Sequence, residues 1–90
     1  GSTIITSVLQ TILNVVDFGM NIQEAVDAPR FHHQWLPDQI FYDRFALSED
    51  VCDNLKKMGY HLHPRHSNGP GIVQAILVDP KTGVLLGGSD

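Results

Sequence analysis

The sequence predicts an α+β fold with one long helix, two shorter helices and mainly antiparallel strands. Apolar residues recur at helical spacing over the first 16 residues, and short apolar or alternating runs bounded by Pro, Asp and Gly follow after residue 30. The 90 residues fit a single small domain, 1–90, with no internal boundary. A chain of this size buries only about 60% of its unfolded surface, so we expect it to be marginally stable alone.

The first helix is predicted from a broad apolar stripe. Its members are Ile4, Ile5, Val8, Leu9, Ile12, Leu13 and Val16. Ser2 or Thr3 can cap the helix and Gly19 can end it, while Asn14 and Asp17 mark its solvent side. The stripe is rich in β-branched residues, so packing rather than propensity must stabilise the helix. We therefore expect the stripe to face a core.

A second, short helix is predicted between Asn21 and Pro29. Asn21 and Glu24 have the spacing of a capping box, and Pro29 cannot continue a helix. The segment after Pro29 is predicted to be a short strand, in which Phe31, His33 and Trp35 share one face. His32 and Gln34 then share the other face.

The next elements are a strand and the third helix. Gln39–Tyr42 forms a second extended stretch, and the Pro37–Asp38 turn would join it to the preceding strand as a hairpin. Ser48 is the predicted N-cap of the third helix, with acidic residues in its first turn, lysines in its last and Gly59 after it.

The last third of the chain is predicted to be extended. Tyr60–His63 alternates, Ile72–Val78 is almost continuously apolar, and a turn at Asp79–Gly83 leads into Val84–Leu86 as a hairpin partner. A strand that is apolar on successive residues is covered on both faces, as in a layered sandwich. Ser67–Gly71 is predicted to be a connection within the domain.

Composition excludes several classes of protein. The net charge is −4, the pI is about 5.6, and the basic residues are scattered, so we expect no nucleic-acid partner. Cys52 is the single cysteine, which excludes an internal disulfide, and we expect it to be a buried, inert thiol. No apolar run approaches the ~18 residues of a membrane span.

Three ordered motifs carry a family resemblance. Residues 28–37 place Arg30, two imidazoles, an amide and two aromatic rings between two prolines; Gly1–Gln10 and Gly19–Ala25 precede this block in register. Together they resemble the C-terminal half of the small subunit of the γ-glutamyltransferase (γ-glutamyl transpeptidase) family. The resemblance implies part of an N-terminal-nucleophile hydrolase αββα sandwich. Family members continue beyond Gly87–Asp90 through an Asp-Pro-Arg and a final strand, so we expect this chain to be a fragment.

The resemblance also implies a chemistry for the parent enzyme. A precursor cleaves itself, and the new N-terminal threonine takes the γ-glutamyl group from amides such as glutathione and passes it to water, amino acids or peptides. None of the threonines of this chain matches the family's autocleavage site, so we expect the fragment to be inactive alone. Its implied partners are the large subunit, the rest of the small subunit and the small-molecule donor and acceptor. The resemblance implies no cofactor and favours a periplasmic or extracellular location.

Gly1 is the candidate catalytic residue. The family's oxyanion hole resembles two adjacent glycine amides at the start of the first helix, and Gly1 matches the second of them. Gly1-Ser2 equally matches a remnant left by tag removal.

The central block contains the remaining candidates. We interpret Arg30 as half of a buried ion pair with an acid elsewhere in the parent, in preference to a clamp for a substrate carboxylate. His32 and His33 are interpreted as hydrogen-bonded structural residues rather than acid-base groups, and Gln34 belongs to the same structural motif. Trp35 is expected to be a core or rim aromatic.

Two alternative functions remain. One is a related acylase of the same fold, similar to cephalosporin acylases. The other is a His-rich metal-binding module, because His61 and His63 share a strand face and His66 follows. We predict no physiological metal, because Pro64 interrupts the cluster and it lacks an acidic or thiol ligand at suitable spacing.

A chain lacking its partner layer should expose apolar faces. The first helix and Ile72–Val78 would then face water, and such patches drive self-association. We expect the isolated chain to be a dimer or a loosely packed monomer.

Overall fold

The structure is a computed structural model that describes residues 2–65 and 71–90. It confirms an α+β fold with one long helix and two shorter ones. The elements are α1 (Thr3–Val16), α2 (Ile22–Asp27), β1 (Phe31–His32), β2 (Ile40–Asp43), α3 (Glu49–Lys57), β3 (Leu62–Arg65), β4 (Gln74–Val78) and β5 (Leu85–Ser89). Within the two described ranges, no helix is long and apolar enough to cross a membrane. The predictions for Gly1, His66 and most of the 67–71 connection lie outside those ranges.

The first sheet has three strands in the order β1-β2-β3. β1 and β2 pair antiparallel, with Phe31 opposite Tyr42, which confirms the predicted hairpin. β2 and β3 pair parallel over four residue pairs, from Ile40 opposite Leu62 to Asp43 opposite Arg65. A parallel pair needs a crossover connection, and α3 is that connection. β3 begins two residues later than the predicted alternation, and its ladder is extended by the hydrogen bond from Ile40 N to His61 O at 2.8 Å.

β4 and β5 form a separate antiparallel hairpin of five residue pairs. The predicted turn is confirmed: Asp79 O accepts from Gly83 N at 2.7 Å, and Gly83 has a φ of +74°. The hairpin packs on α2. A Cβ at Gly88 would lie 2.9 Å from the backbone oxygen of Ile22, so glycine is needed for this close approach.

The capping predictions for α2 and α3 are confirmed. Asn21 Oδ1 accepts from Glu24 N at 2.8 Å, and Ser48 Oγ accepts from Val51 N at 3.3 Å. Gly19 and Gly59 follow α1 and α3 in left-handed conformations, with φ of +66° and +97°. These features depend on local chemistry, which explains why sequence identifies them.

The start of α1 differs from the prediction. Ser2 occupies the N-cap position but its side chain makes no capping hydrogen bond with the described amides. Its hydroxyl instead donates to Gln34 Oε1 at 2.6 Å, 32 residues away. The local cap is therefore replaced by a tertiary contact.

The exposure of α1 confirms the expectation for a chain without its partner layer. Its apolar stripe lies at the surface, with Ile5 74% and Val16 72% exposed, and the side chains that α1 buries among the described residues are Ser7 and Thr11. A row of polar residues spaced four apart faces the rest of the chain; we call Ser2, Thr6, Gln10 and Asn14 the polar row. Asn14 Nδ2 donates to Ala25 O at 3.2 Å, so its predicted placement on the solvent side is wrong.

The core of the described chain is correspondingly small. Its buried apolar residues are Ile22, Ala25, Val26, Ile40 and Val73, which centre on α2 and the strands beside it. β4 is not covered on both faces by the described residues, as the 71% exposure of Ile76 shows. This exposure agrees with the expectation for a chain that lacks its partner layer. α1 and β4 line one groove, where Ile12 and Val16 lie beside Ile76. We call the exposed apolar side chains of α1 and β4 the outer apolar surface. Its members are Ile4, Ile5, Val8, Leu9, Ile12, Leu13, Val16, Ile76 and Val78.

Candidate functional site

The block at residues 28–37 places two polar side chains in the interior. Pro29 ends α2, and Ala28 has the extended ψ of 138° that a residue before proline favours. Arg30 and His32 follow on the buried side, only 3% and 2% exposed. Buried polar groups need hydrogen-bond partners, and those partners define the candidate site.

The Arg30 guanidinium binds three oxygen atoms. Nη1 donates to Val26 O at 3.0 Å, and Nη2 donates to Gly71 O at 3.0 Å and to the Asp90 carboxylate. Its Nε is buried without an acceptor among residues 2–65 and 71–90. Because both terminal nitrogens are engaged inside the chain, an external carboxylate would have to displace these contacts.

Asp90 completes this cluster. Its side chain also accepts from Val73 N at 3.1 Å, while Asp90 N donates to Val73 O at 2.9 Å. The acid that pairs with Arg30 thus lies within the ninety residues, and not elsewhere in a parent protein as expected. The pair joins the end of α2 to both strands of the hairpin.

His32 is held at both ring nitrogens. Nδ1 lies 2.7 Å from Thr6 Oγ1, and Nε2 lies 2.9 Å from Gln34 Oε1. Gln34 Nε2 donates to Leu36 O at 2.9 Å, which orients the amide so that its oxygen faces His32. A carbonyl oxygen only accepts, so His32 Nε2 carries a proton and donates it to Gln34. The Thr6 hydroxyl lies 2.7 Å from Nδ1 and 3.2 Å from Thr3 O.

The same amide oxygen links His32 to α1. Gln34 Oε1 accepts from Ser2 Oγ as well as from His32. We call Ser2, Thr6, His32 and Gln34 the brace, because its hydrogen bonds connect the first turn of α1 to the end of β1 and the segment that follows. The contacts of Ser2 and Thr6 were not predicted. The four-residue spacing of the polar row indicates one polar side of α1, but it does not indicate what that side contacts.

His33 and Trp35 lie outside this network. His33 Nδ1 accepts from Trp35 N at 3.1 Å, and Nε2 lies 3.0 Å from Asp38 Oδ1. Trp35 has a φ of +73° and is 76% exposed, so the strand ends at His32 and the predicted Phe31–His33–Trp35 face does not form. Trp35, expected to be a core or rim aromatic, is therefore not a core residue among the described residues.

Cys52 is half-buried rather than buried, and it lies beside Tyr42. Partial burial raises the pKa of the Tyr42 hydroxyl, and the adjacent Cys52 side chain adds to that increase. No local pattern in the sequence indicates this contact, because Tyr42 lies on β2 and Cys52 lies on α3.

His63 belongs to the histidine cluster on which the alternative metal-binding function depends. Its ring packs edge-on against Phe41 with centroids 5.3 Å apart, and the Arg65 guanidinium lies 5.2 Å from the centre of the Phe41 ring. Among the residues whose placement is described, no three His, Cys, Asp or Glu side chains converge as a metal site. His66 is outside that set.

Comparisons with known proteins agree with the resemblance. A family model described as gamma-glutamyltranspeptidase matches residues 1–90. A glutathione hydrolase proenzyme of Escherichia coli is 43% identical over 90 residues, which are all of this chain and 15% of that protein. The chain thus spans about one seventh of that relative's length.

Solved structures give the same result. A crystal structure of acivicin-inhibited gamma-glutamyltranspeptidase is 51% identical, with a TM-score of 0.85 over 96% of this chain and 46% of its own. A cephalosporin acylase from Bacillus halodurans is 32% identical, with a TM-score of 0.77 over 93% of this chain and 16% of its own. The fold is therefore that of the N-terminal-nucleophile hydrolases.

Proposed function

Because the chain belongs to the gamma-glutamyltranspeptidase family, we propose that the intact protein containing it cleaves γ-glutamyl amides such as glutathione. The γ-glutamyl group passes to water or to an amino acid or peptide acceptor. The observation that carries this proposal is the match of the family model over residues 1–90. A relative that aligns with the whole chain and is named a glutathione hydrolase proenzyme supports it.

The proposed reaction needs a nucleophile from outside these ninety residues. The hydroxyl oxygen of an N-terminal threonine bonds to the γ-carbonyl carbon, and its proton passes to the threonine's own α-amino group. The amide C–N bond then breaks, and that proton goes to the leaving amine. The oxygen of water or the nitrogen of an acceptor amine then bonds to the carbonyl carbon of the resulting threonine ester and gives its proton to the α-amino group. The ester C–O bond breaks, and that proton returns to the threonine oxygen. The isolated chain is accordingly inactive.

This chain's proposed contribution is the stabilisation of the oxyanion. Amides at a helix N-terminus point outward and carry the positive end of the helix dipole. The Ser2 side chain makes no hydrogen bond to the described first-turn amides, and its hydroxyl donates to Gln34. We assign the Gly1 amide to the developing oxyanion, with the remainder of the small subunit and the large subunit supplying the other groups.

Replacing Gly1 tests this assignment in the intact protein. Gly1→Pro removes the N–H and should slow release of aniline from a γ-glutamyl anilide by about 100-fold, the usual effect of losing one oxyanion donor. Gly1→Ala keeps the N–H and serves as the matched control. An acylation rate unchanged by Gly1→Pro would remove Gly1 from the site.

A second candidate is an acylase of the cephalosporin type. The observation that favours it is the 32% identity to the Bacillus halodurans enzyme. The two candidates separate in one assay of the intact protein, which compares a γ-glutamyl anilide with a cephalosporin carrying an amide-linked acyl side chain. We expect the γ-glutamyl substrate to be cleaved faster, because identity is higher to the transpeptidases.

A further inference from the structure

We infer that His32 and Gln34 are positioning residues for the reaction, because they fix the first turn of α1 through Ser2 and Thr6. They would act through that turn rather than by touching the substrate. The inference rests on the proposed function, in which the start of α1 faces the reacting oxygen. It gives a catalytic consequence to two side chains that would otherwise only stabilise the fold.

The brace has one buried and one exposed side chain outside α1. His32 is almost fully buried, and the exposed Gln34 is oriented by its hydrogen bond to Leu36 O. Ser2 and Thr6 lie one helical turn apart on the same side of α1, and each is held by one hydrogen bond to this pair. Two contacts spaced along the helix limit both its rotation and its axial position.

The brace also controls what the Ser2 hydroxyl does. A serine at this position normally accepts hydrogen bonds from first-turn amides. Here Gln34 Oε1 accepts the hydroxyl hydrogen, and Ser2 has the helical angles φ −61° and ψ −25° rather than the extended angles of a cap, so no capping bond to the described amides forms. Loss of Gln34 would remove the contact that holds Ser2 in this conformation, so that its hydroxyl oxygen can turn to those amides and compete with an incoming oxyanion.

Gln10 offers a comparison within the same helix. Its side-chain amide exchanges two hydrogen bonds with the Phe31 backbone, at 2.6 and 3.1 Å. Gln10 therefore also attaches α1 to β1, but two turns away from Ser2. Its loss should loosen the docking of α1 without redirecting the first turn.

The test compares Gln34→Leu with Gln10→Met in the intact protein. Thermal denaturation and acylation of a γ-glutamyl anilide are measured for both variants. We expect Gln34→Leu to lower kcat by about 10- to 100-fold with little change in KM, as misplaced catalytic groups do. Gln10→Met should lower the Tm with kcat nearly unchanged. Equal kcat losses in the two variants would overturn the inference.

Two further variants guard against misfolding of Gln34→Leu. Gln34→Glu keeps an acceptor for Ser2 and His32 but loses the donor to Leu36 O, so it should lose less kcat than Gln34→Leu. Ser2→Ala removes the competing hydroxyl, so Gln34→Leu should cost less kcat in that background than alone. Fully additive effects would contradict the inference. A wild-type protein that cleaves no γ-glutamyl anilide would refute the proposed function instead, which keeps the two failures distinct.

Discussion

Arg30→Met is expected to destabilise the protein by about 3 kcal/mol, the lower end of the range for breaking a buried ion pair. The substitution leaves the Asp90 carboxylate without its cation and removes the donors to Val26 O and Gly71 O. The lower end is appropriate because the Asp90 side chain remains 25% exposed and keeps its bond from Val73 N. The urea midpoint of the intact protein measures the loss.

Arg44→Met is the matched control for this prediction. The Arg44 guanidinium lies over the exposed Phe45 ring, 4.8 Å from its centre, and such a contact contributes about 0.5–1 kcal/mol. Arg30→Lys should fall between the two, because an ammonium cannot reproduce the planar fork. Similar urea midpoints for Arg30→Met and Arg44→Met would contradict the structural role of Arg30.

Gly71→Ala is expected to destabilise the protein by about 3 kcal/mol. The φ of +81° at Gly71 lies in the left-handed region, which costs a residue with a Cβ about 1–2 kcal/mol. The added Cβ would also lie 2.7 Å from Ser7 Oγ, and overpacking a buried site costs about 1–3 kcal/mol. The same position supplies a carbonyl to Arg30, so a backbone shift there would also weaken the ion-pair cluster.

Gly83→Ala separates the two causes of that loss. Gly83 has a similar φ of +74°, but no heavy atom of the described chain lies within 4 Å of a Cβ built there. We expect only the conformational cost, about 1–2 kcal/mol. If the two alanine variants unfold at the same urea concentration, the close approach of the added Cβ at position 71 to Ser7 Oγ does not lower the stability.

Sequence predicted the features that depend on neighbouring residues. Asn21 and Ser48 cap the helices they were expected to cap, and the turn at Asp79–Gly83 joins two strands as expected. Each of these depends on hydrogen bonds within a few residues. The family resemblance could also be identified from the sequence, because each of its motifs is a short run of neighbouring residues and the motifs follow in a fixed order.

Sequence predicted that the apolar stripe of α1 is exposed without a partner layer, but not which polar side chains attach the helix to the rest of the chain. Periodicity identifies an apolar stripe but not the surface that will cover it. Thr6 and Gln10 use their polar groups to dock α1, which leaves Ile5 and Ile12 on the far side. The pairing of Arg30 with Asp90 was equally out of reach, since 60 residues separate them and no local pattern connects them.

These observations support one central claim: in the intact protein, the outer apolar surface is covered by protein from outside these ninety residues. In the described chain this surface contains the 52% exposed Ile12 and the 71% exposed Ile76. A soluble domain rarely leaves so large a contiguous apolar patch in water. Self-association of the isolated chain would be the corresponding behaviour when that cover is missing.

The most direct test is the thiol reactivity of an Ile12→Cys variant that also carries Cys52→Ser. Its labelling rate with a maleimide is measured in the intact protein, folded and in urea, with Asn54→Cys on the exposed side of α3 as the control. We expect Cys at position 12 to react far more slowly in the folded intact protein than in urea, while the control reacts at similar rates in both. Equally fast labelling at position 12 in the folded intact protein and in urea would show that this surface is not covered.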